Sequence, residues 1–120
     1  MSLGHSAGRL DVHRAIYEKL KAVAKAEDLI SYGEIAPLAG LDMENLDDRN
    51  KLAEILGEIS THEHQQKRPL LSAVVILKGN NIPGQGFFTL AKELGVYIGS
   101  DNLKFFILEL RKVHEYWRSA

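Results

Sequence analysis

The segment from Ile30 to Val75 reads ISYGEIAPLAGLDMENLDDRNKLAEILGEISTHEHQQKRPLLSAVV, and it decides the fold. Ser31 and Glu34 have the S-x-x-E spacing of a capping box, in which each side chain bonds the backbone amide of the other residue. The spacing predicts a helix that starts at Ser31. Pro37 keeps this helix short because proline is unfavourable deep inside a helix. Gly40 then ends it as a C-cap residue.

A longer helix is predicted from Asp47 to Gln65. Its apolar residues recur at spacings of three and four, which places them on one face. They are Leu52, Ile55, Leu56 and Ile59. Asp47 and Asp48 suit the positive end of the helix dipole, and Pro69 prevents the helix from continuing. A polar connection from Leu41 to Leu46 joins the two predicted helices.

The apolar run from Leu70 to Leu77, LLSAVVIL, has the length and the β-branched content of a buried strand. The following run from Lys78 to Gly86, KGNNIPGQG, is rich in turn-forming residues. It either closes a small β-hairpin from Leu70 to Phe87 or forms a functional loop. Ser72 carries the only hydroxyl in the apolar run, and its burial predicts a hydrogen bond to the backbone.

Three further helices are predicted to complete the core. The first runs from Asp11, its expected N-cap, to Asp28. The second runs from Phe87 to Leu94. The third runs from Asn102 to Arg118, behind a cap at Ser100 or Asp101. The residues expected to form the buried stripe of the third helix are Leu103, Phe106, Ile107, Leu110, Val113 and Trp117.

The length of 120 residues and the apolar content of 45% predict one domain with a real core. The expected fold class is α+β, mostly helical, as a single domain over residues 11–120 with a small β-hairpin. Residues 1–10 are expected to be disordered or derived from an expression vector. The chain has no cysteine, which suits a cytoplasmic location and removes disulfides and thiolate sites. No apolar run approaches the roughly 20 residues that span a bilayer, so no membrane partner is expected.

Charge is unevenly distributed along the chain. Residues 31–69 carry eight acidic and four basic side chains, although the net charge of the whole chain is only −1. A continuous basic footprint, typical of DNA-binding domains, is therefore missing. The acidic face over residues 42–63 instead favours a protein partner as one alternative.

Few residues have the spacing of a chemical site. His62 and His64 would lie on opposite sides of a helix, so they cannot bind one metal ion together, and no metal or cofactor is predicted. Glu63 and Arg68 flank the start of the predicted strand, near the glycine-rich loop. An arginine beside free backbone amides can bind an anion such as phosphate. The alternative is an ordinary ion pair.

One family resemblance is carried by residues 31–40. Here Ser31, Tyr32, Gly33, Glu34, Ile35, Ala36, Ala39 and Gly40 match a [ST]-Y-G-E-[LIV]-A-x-x-[AL]-G pattern. In this segment, and in the following helix with Arg49, the chain resembles the C-terminal winged-helix domain of DNA repair alkyltransferases and alkyltransferase-like proteins. The resemblance implies that Tyr32 helps to rotate a target nucleotide and that Arg49 fills the gap left in the base stack.

The chain departs from this family at its reactive segment. Where a Pro-Cys-His-Arg motif would fall, the sequence from Arg68 to Val75 reads RPLLSAVV, and the absence of cysteine excludes alkyl transfer. The second half of the chain is similar to a set of small uncharacterised bacterial proteins, which implies no activity.

Two classes of function follow. The first is a non-catalytic winged-helix-like module that binds DNA or RNA, or the same scaffold with a protein partner. Its expected nucleic-acid contacts are Tyr32, Arg49, Lys51, Lys67, Arg68 and Lys78. The second is a small-molecule or nucleotide pocket at the head of the strand. If the protein is an enzyme, carboxylates of this pocket would act in acid–base catalysis. Its expected members are Glu34, Glu63, Arg68, Ser72 and Gln85.

Overall fold

The protein is mostly helical and contains two very short strands. The computed structural model describes the backbone from residue 3 and the side chains from residue 14 onwards. The α-helices are α1 (Leu3–Lys25), α2 (Tyr32–Ile35), α3 (Leu46–Gln65), α4 (Gln85–Glu93) and α5 (Asn102–Ser119). The strands are β1 (Ile30–Ser31) and β2 (Val75–Ile76), and two 3₁₀ helices span Ala36–Ala39 and Leu71–Val74. The predicted mostly helical α+β class is confirmed.

The capping box at the start of α2 is formed as predicted. The Glu34 amide donates to Ser31 Oγ at 3.2 Å, and the Ser31 amide donates to Glu34 Oε1 at 3.0 Å. Pro37 lies in the 3₁₀ helix that continues α2. Gly40 ends this unit in the left-handed conformation at φ 68°. The predicted short helix and its C-cap are therefore confirmed.

The core is centred on the apolar run that follows α3. Leu70, Leu71, Ala73, Val74 and Val75 are all completely inaccessible to solvent. The 3₁₀ helix Leu71–Val74 packs against α1, α3 and α5, so three long helices surround it. The predicted apolar face of α3 points toward this centre, since Leu52, Ile55, Leu56 and Ile59 are buried.

The prediction of a strand from Leu70 to Leu77 is wrong for most of its length. Only β2 is extended, and it pairs with β1 in parallel, with Ile30 opposite Val75. Two of the other buried amides are paired by side chains of neighbouring helices, and the Ala73 amide is paired by the Leu70 carbonyl within the run. The Leu70 amide donates to Glu109 Oε2 at 2.8 Å and the Ser72 amide donates to Ser60 Oγ at 3.0 Å. These bonds satisfy the amides without a sheet ladder.

The expected β-hairpin from Leu70 to Phe87 does not form. The sheet among the described residues is the parallel pair β1–β2, whose strands lie far apart in sequence. Residues 77–84 form a turn, in which the Leu77 amide donates to the Ile82 carbonyl at 2.8 Å. This turn leads directly into α4.

The buried face of α5 differs from the predicted one. Phe106, Val113 and Trp117 are buried as expected, but Leu103 is 55% exposed and Ile107 is 45% exposed. Glu109 is buried in their place because its carboxylate accepts from the Leu70 amide. Asp101 caps the helix, as one of the two predicted alternatives.

Helix α1 extends from Leu3 to Lys25, so it begins before the predicted start at Asp11 and ends before Asp28. The side chains of residues 1–13 lie outside the described part of the chain. The expected Asp11 cap and the expected separate segment 1–10 fall on these residues.

Candidate functional site

A cavity of about 450 Å³ lies where the start of α2, the first half of α3 and the start of α4 meet. We call it the Tyr32 cavity. Its polar side chains are those of Tyr32, Arg49, Ser72 and Gln85. Its remaining wall is formed by glycines and by apolar side chains, among them Met43, Leu56, Leu77, Phe87 and Leu90. A mainly apolar cavity of this size with a few polar groups is typical of a site for a small organic ligand.

Tyr32 is held in the cavity wall by the backbone of the α4 start. Because the capping box fixes Ser31 and Glu34, Tyr32 becomes the first residue of α2. Its hydroxyl accepts a hydrogen bond from the Gly84 amide at 3.0 Å. A Cβ at Gly84 would lie 3.1 Å from this oxygen, so glycine permits the close approach. Burial raises the pKa of Tyr32 above its ordinary value, and the phenol therefore stays protonated at neutral pH.

Arg49 lies in α3, one turn from the helix start. Asn45 caps α3 by accepting from the Asp48 amide at 3.0 Å, and Asp48 in turn accepts from the Asp42 amide at 2.9 Å. The Asp42 carboxylate also accepts from the Glu44 amide at 2.9 Å, so the carboxylates of Asp42 and Asp48 are both used to order the loop before α3. Within the described part of the chain, the Arg49 guanidinium has no hydrogen-bond or ion-pair partner. It is exposed at the cavity and is free to bind an anionic or acceptor group.

Ser72 brings a buried hydroxyl to the same cavity. It is only 5% exposed, and its Oγ lies 2.6 Å from Oγ of the fully buried Ser60. The predicted backbone partner of the Ser72 hydroxyl is therefore wrong, since the partner is a side chain of α3. Gln85 lies at the opposite wall, in the first turn of α4, where its Nε2 donates weakly to Thr89 at 3.4 Å.

Glu63 and Arg68 form a separate cluster and do not line the Tyr32 cavity. Glu63 is completely buried, and the Arg68 guanidinium bonds both of its oxygens, Nε to Oε1 at 2.8 Å and Nη2 to Oε2 at 2.9 Å. The Tyr17 hydroxyl donates to Glu63 Oε2 at 2.8 Å. The bond to Glu63 raises the pKa of Arg68. This arrangement neutralises the carboxylate inside the fold, which is a structural use of both groups.

The expected second pocket is thus divided among three places. Ser72 and Gln85 share the Tyr32 cavity, Glu63 and Arg68 form the buried pair, and Glu34 is an exposed capping residue. The hydrogen bonds from Ser31 lower the pKa of Glu34. A carboxylate with a lowered pKa that is occupied by capping is a poor general acid or base.

The remaining expected nucleic-acid contacts are surface cations. Lys51, Lys67 and Lys78 are exposed and do not line the cavity. The exposed side chains of His62 and His64 lie near the end of α3, and the ring of His62 meets Tyr17 edge-on. Of the expected contacts, the cavity unites only Tyr32 and Arg49.

The sequence analysis missed Ser60 and the apolar wall. One pattern in α3 could have indicated the cavity itself, although not Ser60. Arg49, Ala53 and Gly57 recur at a spacing of four, and the two small residues leave space beside the arginine on one helix face. All three line the cavity.

No family model, no curated protein and no solved structure matches this chain. Across the helices that the structure describes, none has the length and apolar character needed to cross a bilayer.

Proposed function

We propose that the protein is a non-catalytic nucleic-acid-binding module that accepts one unstacked nucleobase in the Tyr32 cavity. The observation that carries this proposal is that Tyr32 and Arg49 line the same cavity. The family resemblance assigned both residues to the handling of an extruded nucleotide, independently of any knowledge of a cavity. Their meeting at one concave site supports that assignment.

In this proposal, α2 and α3 act as the helix-turn-helix pair of a winged-helix-like domain. Helix α3 approaches the major groove, and the turn over residues 77–84 takes the place of a hairpin wing. Arg49, Lys51, Lys67 and Lys78 are exposed and would supply salt-sensitive contacts to phosphates. Arg68 contributes less because its guanidinium is engaged by Glu63.

The cavity is suited to a base in both shape and chemistry. Its apolar wall includes Phe87, which is buried and packs edge-on against Phe88. A planar ring released from the base stack would exchange stacking contacts for contacts with this wall. Because the chain has no cysteine, the alkyl transfer performed by the resembled enzymes is excluded, and binding alone is proposed.

The test is fluorescence anisotropy with three labelled probes: a paired duplex, a single strand and a duplex with one base opposite an abasic site. The abasic site lowers the cost of extrusion, so the third probe should bind most tightly. Affinity should fall between about 50 and 200 mM salt as phosphate contacts weaken.

Tyr32→Ala and Arg49→Ala should each weaken binding to the third probe, and thermal melting would verify that both variants fold. Lys104→Ala is the matched control, since it removes one exposed positive charge outside the cavity. If no probe binds at about 50 mM salt, the nucleic-acid proposal is wrong.

A second candidate is a domain that binds a free small molecule or nucleotide. The mainly apolar wall and the volume of about 450 Å³ favour it, because they do not require a polymer. Thermal stabilisation by nucleosides without binding to any oligonucleotide would support this candidate over the first.

A further inference from the structure

Ser60 and Ser72 form a hydrogen-bonded pair beside the Tyr32 cavity. Ser60 Oγ accepts the Ser72 amide at 3.0 Å, and the two hydroxyl oxygens are 2.6 Å apart. Ser60 is completely buried, whereas Ser72 lines the cavity. The distance between the oxygens allows either hydroxyl to donate. The direction therefore depends on which acceptor is available for each of the two hydroxyl protons.

The available acceptors favour Ser60 as the donor of the bond between the two hydroxyls. If Ser72 donated, Ser60 Oγ would accept two bonds from the same residue and its own proton would need another acceptor. Among the described residues, the Ser60 hydroxyl has no other partner than Ser72. A buried hydroxyl proton without an acceptor is costly. Ser60 therefore donates to Ser72, and the Ser72 proton is left for whatever occupies the cavity.

The other fixed polar groups of the cavity are also donors. The Tyr32 oxygen accepts from Gly84, so its own proton remains available, and no acceptor for it lies in the described part of the chain. Arg49 offers only donors. Gln85 can accept through its carbonyl, but its side chain is exposed and adaptable. The Ser72 and Tyr32 hydroxyls therefore each keep an unpaired proton, and the exposed Arg49 adds further donors.

We infer that the cavity selects a nucleobase that turns an exocyclic carbonyl toward Ser72, with Ser60 acting as the positioning residue for this donor. The inference rests on the proposed function and specifies its ligand. Guanine, hypoxanthine, thymine and uracil present such a carbonyl, whereas adenine presents an amino group at the corresponding edge. An amino group can donate only to the remaining lone pair of Ser72 Oγ, which leaves the Ser72 proton unpaired, whereas a carbonyl accepts that proton. A loss of at least about tenfold in affinity is expected from one such mismatch.

The experiment compares two duplexes that differ at one base opposite an abasic site, hypoxanthine or adenine. These bases differ at position 6, where one carries a carbonyl and the other an amino group. The wild-type protein should bind the hypoxanthine duplex at least about tenfold more tightly. Ser72→Ala should reduce this ratio to near one by weakening only hypoxanthine binding. A merely structural role for Ser72 would lower both affinities and preserve the ratio.

Ser60→Ala tests the positioning role. It releases the Ser72 hydroxyl from the Ser60 proton, so the hydroxyl can rotate and turn a lone pair instead of its proton toward the ligand, and the ratio should fall while adenine binding improves. Folding of each variant is checked by thermal melting, and Ser72→Cys serves as the conservative variant because a thiol is a weak donor of similar shape. An intermediate ratio is expected for Ser72→Cys.

The outcomes separate the inference from the proposed function. Equal binding of both duplexes by the wild-type protein, or an unchanged ratio in Ser72→Ala, overturns the inference and leaves nucleic-acid binding intact. If neither duplex binds, the proposed function fails. The same comparison is then made with free inosine and adenosine by amide chemical-shift changes at Gly84 and Ser72, and equal responses to the two nucleosides overturn the inference as well.

Discussion

The guanidinium of Arg68 bonds both carboxylate oxygens of Glu63, at 2.8 and 2.9 Å, although Glu63 is completely inaccessible to solvent. Glu63 lies in the last turn of α3, and Arg68 lies just beyond the helix end. The Tyr17 hydroxyl adds a bond from α1 to the same carboxylate. The pair therefore joins the end of α3 to α1 and allows a charged group to remain inside the fold.

Removing one member of this pair should be strongly destabilising. Arg68→Met leaves the Glu63 charge buried without its main partner, and we expect a loss of about 3 kcal/mol in the free energy of unfolding. The double variant Glu63→Met, Arg68→Met removes both charges and should recover much of the loss. Urea denaturation at neutral pH measures all three proteins. His64→Ala, an exposed change in the same helix turn, is the control and should alter stability little. A double variant less stable than Arg68→Met would contradict the expectation.

Tyr17 gives the same cluster a defined dependence on pH. Burial, together with the hydrogen bond to Glu63, raises the pKa of Tyr17 to about 12 from its ordinary value of 10. Because the folded-state pKa is above the unfolded value, the contribution of Tyr17 to stability is complete below about pH 10 and is lost as pH rises toward about 12.

Tyr17→Phe should therefore be less stable than the wild-type protein at about pH 8, and the difference should shrink above about pH 10. Urea midpoints at several pH values in this range measure it. Tyr32 and Tyr97 also have raised pKa values, so both proteins should still lose some stability at high pH. A difference that stays constant across the range would show that the Tyr17 hydroxyl does not act in this way.

Helix ends show which parts of the fold were predictable from sequence. The end of the unit that begins with α2 was predicted because Gly40 is the residue type that suits a left-handed cap. Helices α1 and α3 end with the same backbone bonding, but Glu27 and Lys67 occupy the left-handed position, with φ of 55° and 62°. Neither residue type predicts this conformation. The end of α1 was therefore placed too late.

Lys67→Gly should stabilise the protein. The Lys67 amide donates to His64 and the Arg68 amide to Glu63, at 2.9 Å each, so the left-handed residue lies between two bonds that close α3. Glycine adopts this conformation without the steric cost that lysine bears, and a gain of about 0.5–1 kcal/mol is expected after its greater freedom in the unfolded chain is considered. Urea denaturation measures the gain, and Lys67→Ala is the control. Equal stability of the glycine and alanine variants would contradict the explanation.

The apolar run after α3 was predictable in its burial and unpredictable in its conformation. Its length and β-branched residues indicated a strand. Strand pairing, however, requires neighbouring backbone, and in the described part of the chain β1 alone provides it. Ser60 and Glu109, which are distant in sequence, satisfy the amides of Ser72 and Leu70 instead. The sequence near Leu70 and Ser72 contains no pattern that predicts acceptors so distant in the chain.

The residues of the candidate site were partly predictable from the sequence, but their arrangement in space was not. The motif that begins at Ser31 indicated Tyr32, and the helix after it indicated Arg49, but their shared cavity depends on how α4 meets α2. The sequence placed Glu63 and Arg68 beside Ser72 because they are near it in the chain. Helix geometry separates them, since Ser60 and Glu63 both lie in α3 but only Ser60 reaches Ser72.

The contact between Tyr32 and Gly84 can be tested by a pair of glycine variants. Both Gly84 and Gly86 line the cavity, but a Cβ at Gly84 would lie 3.1 Å from the Tyr32 oxygen, whereas a Cβ at Gly86 would have nothing within 4 Å. Gly84→Ala should therefore displace the tyrosine and lower stability by about 1 kcal/mol. Gly86→Ala should be neutral or stabilising by up to about 1 kcal/mol, because alanine favours the first turn of α4.

A double-mutant cycle separates this contact from the general effect of alanine at a helix cap. In a Tyr32→Phe background the oxygen at 3.1 Å is gone, and the nearest remaining ring atom is 3.7 Å from the added Cβ. Gly84→Ala should then cost clearly less in the free energy of unfolding than it does beside the intact tyrosine. Urea denaturation of the four proteins measures the coupling. If Gly84→Ala lowers the free energy of unfolding equally in both backgrounds, the Tyr32 hydroxyl does not set the distance between Tyr32 and the start of α4. The position of Tyr32 in the cavity then has another cause.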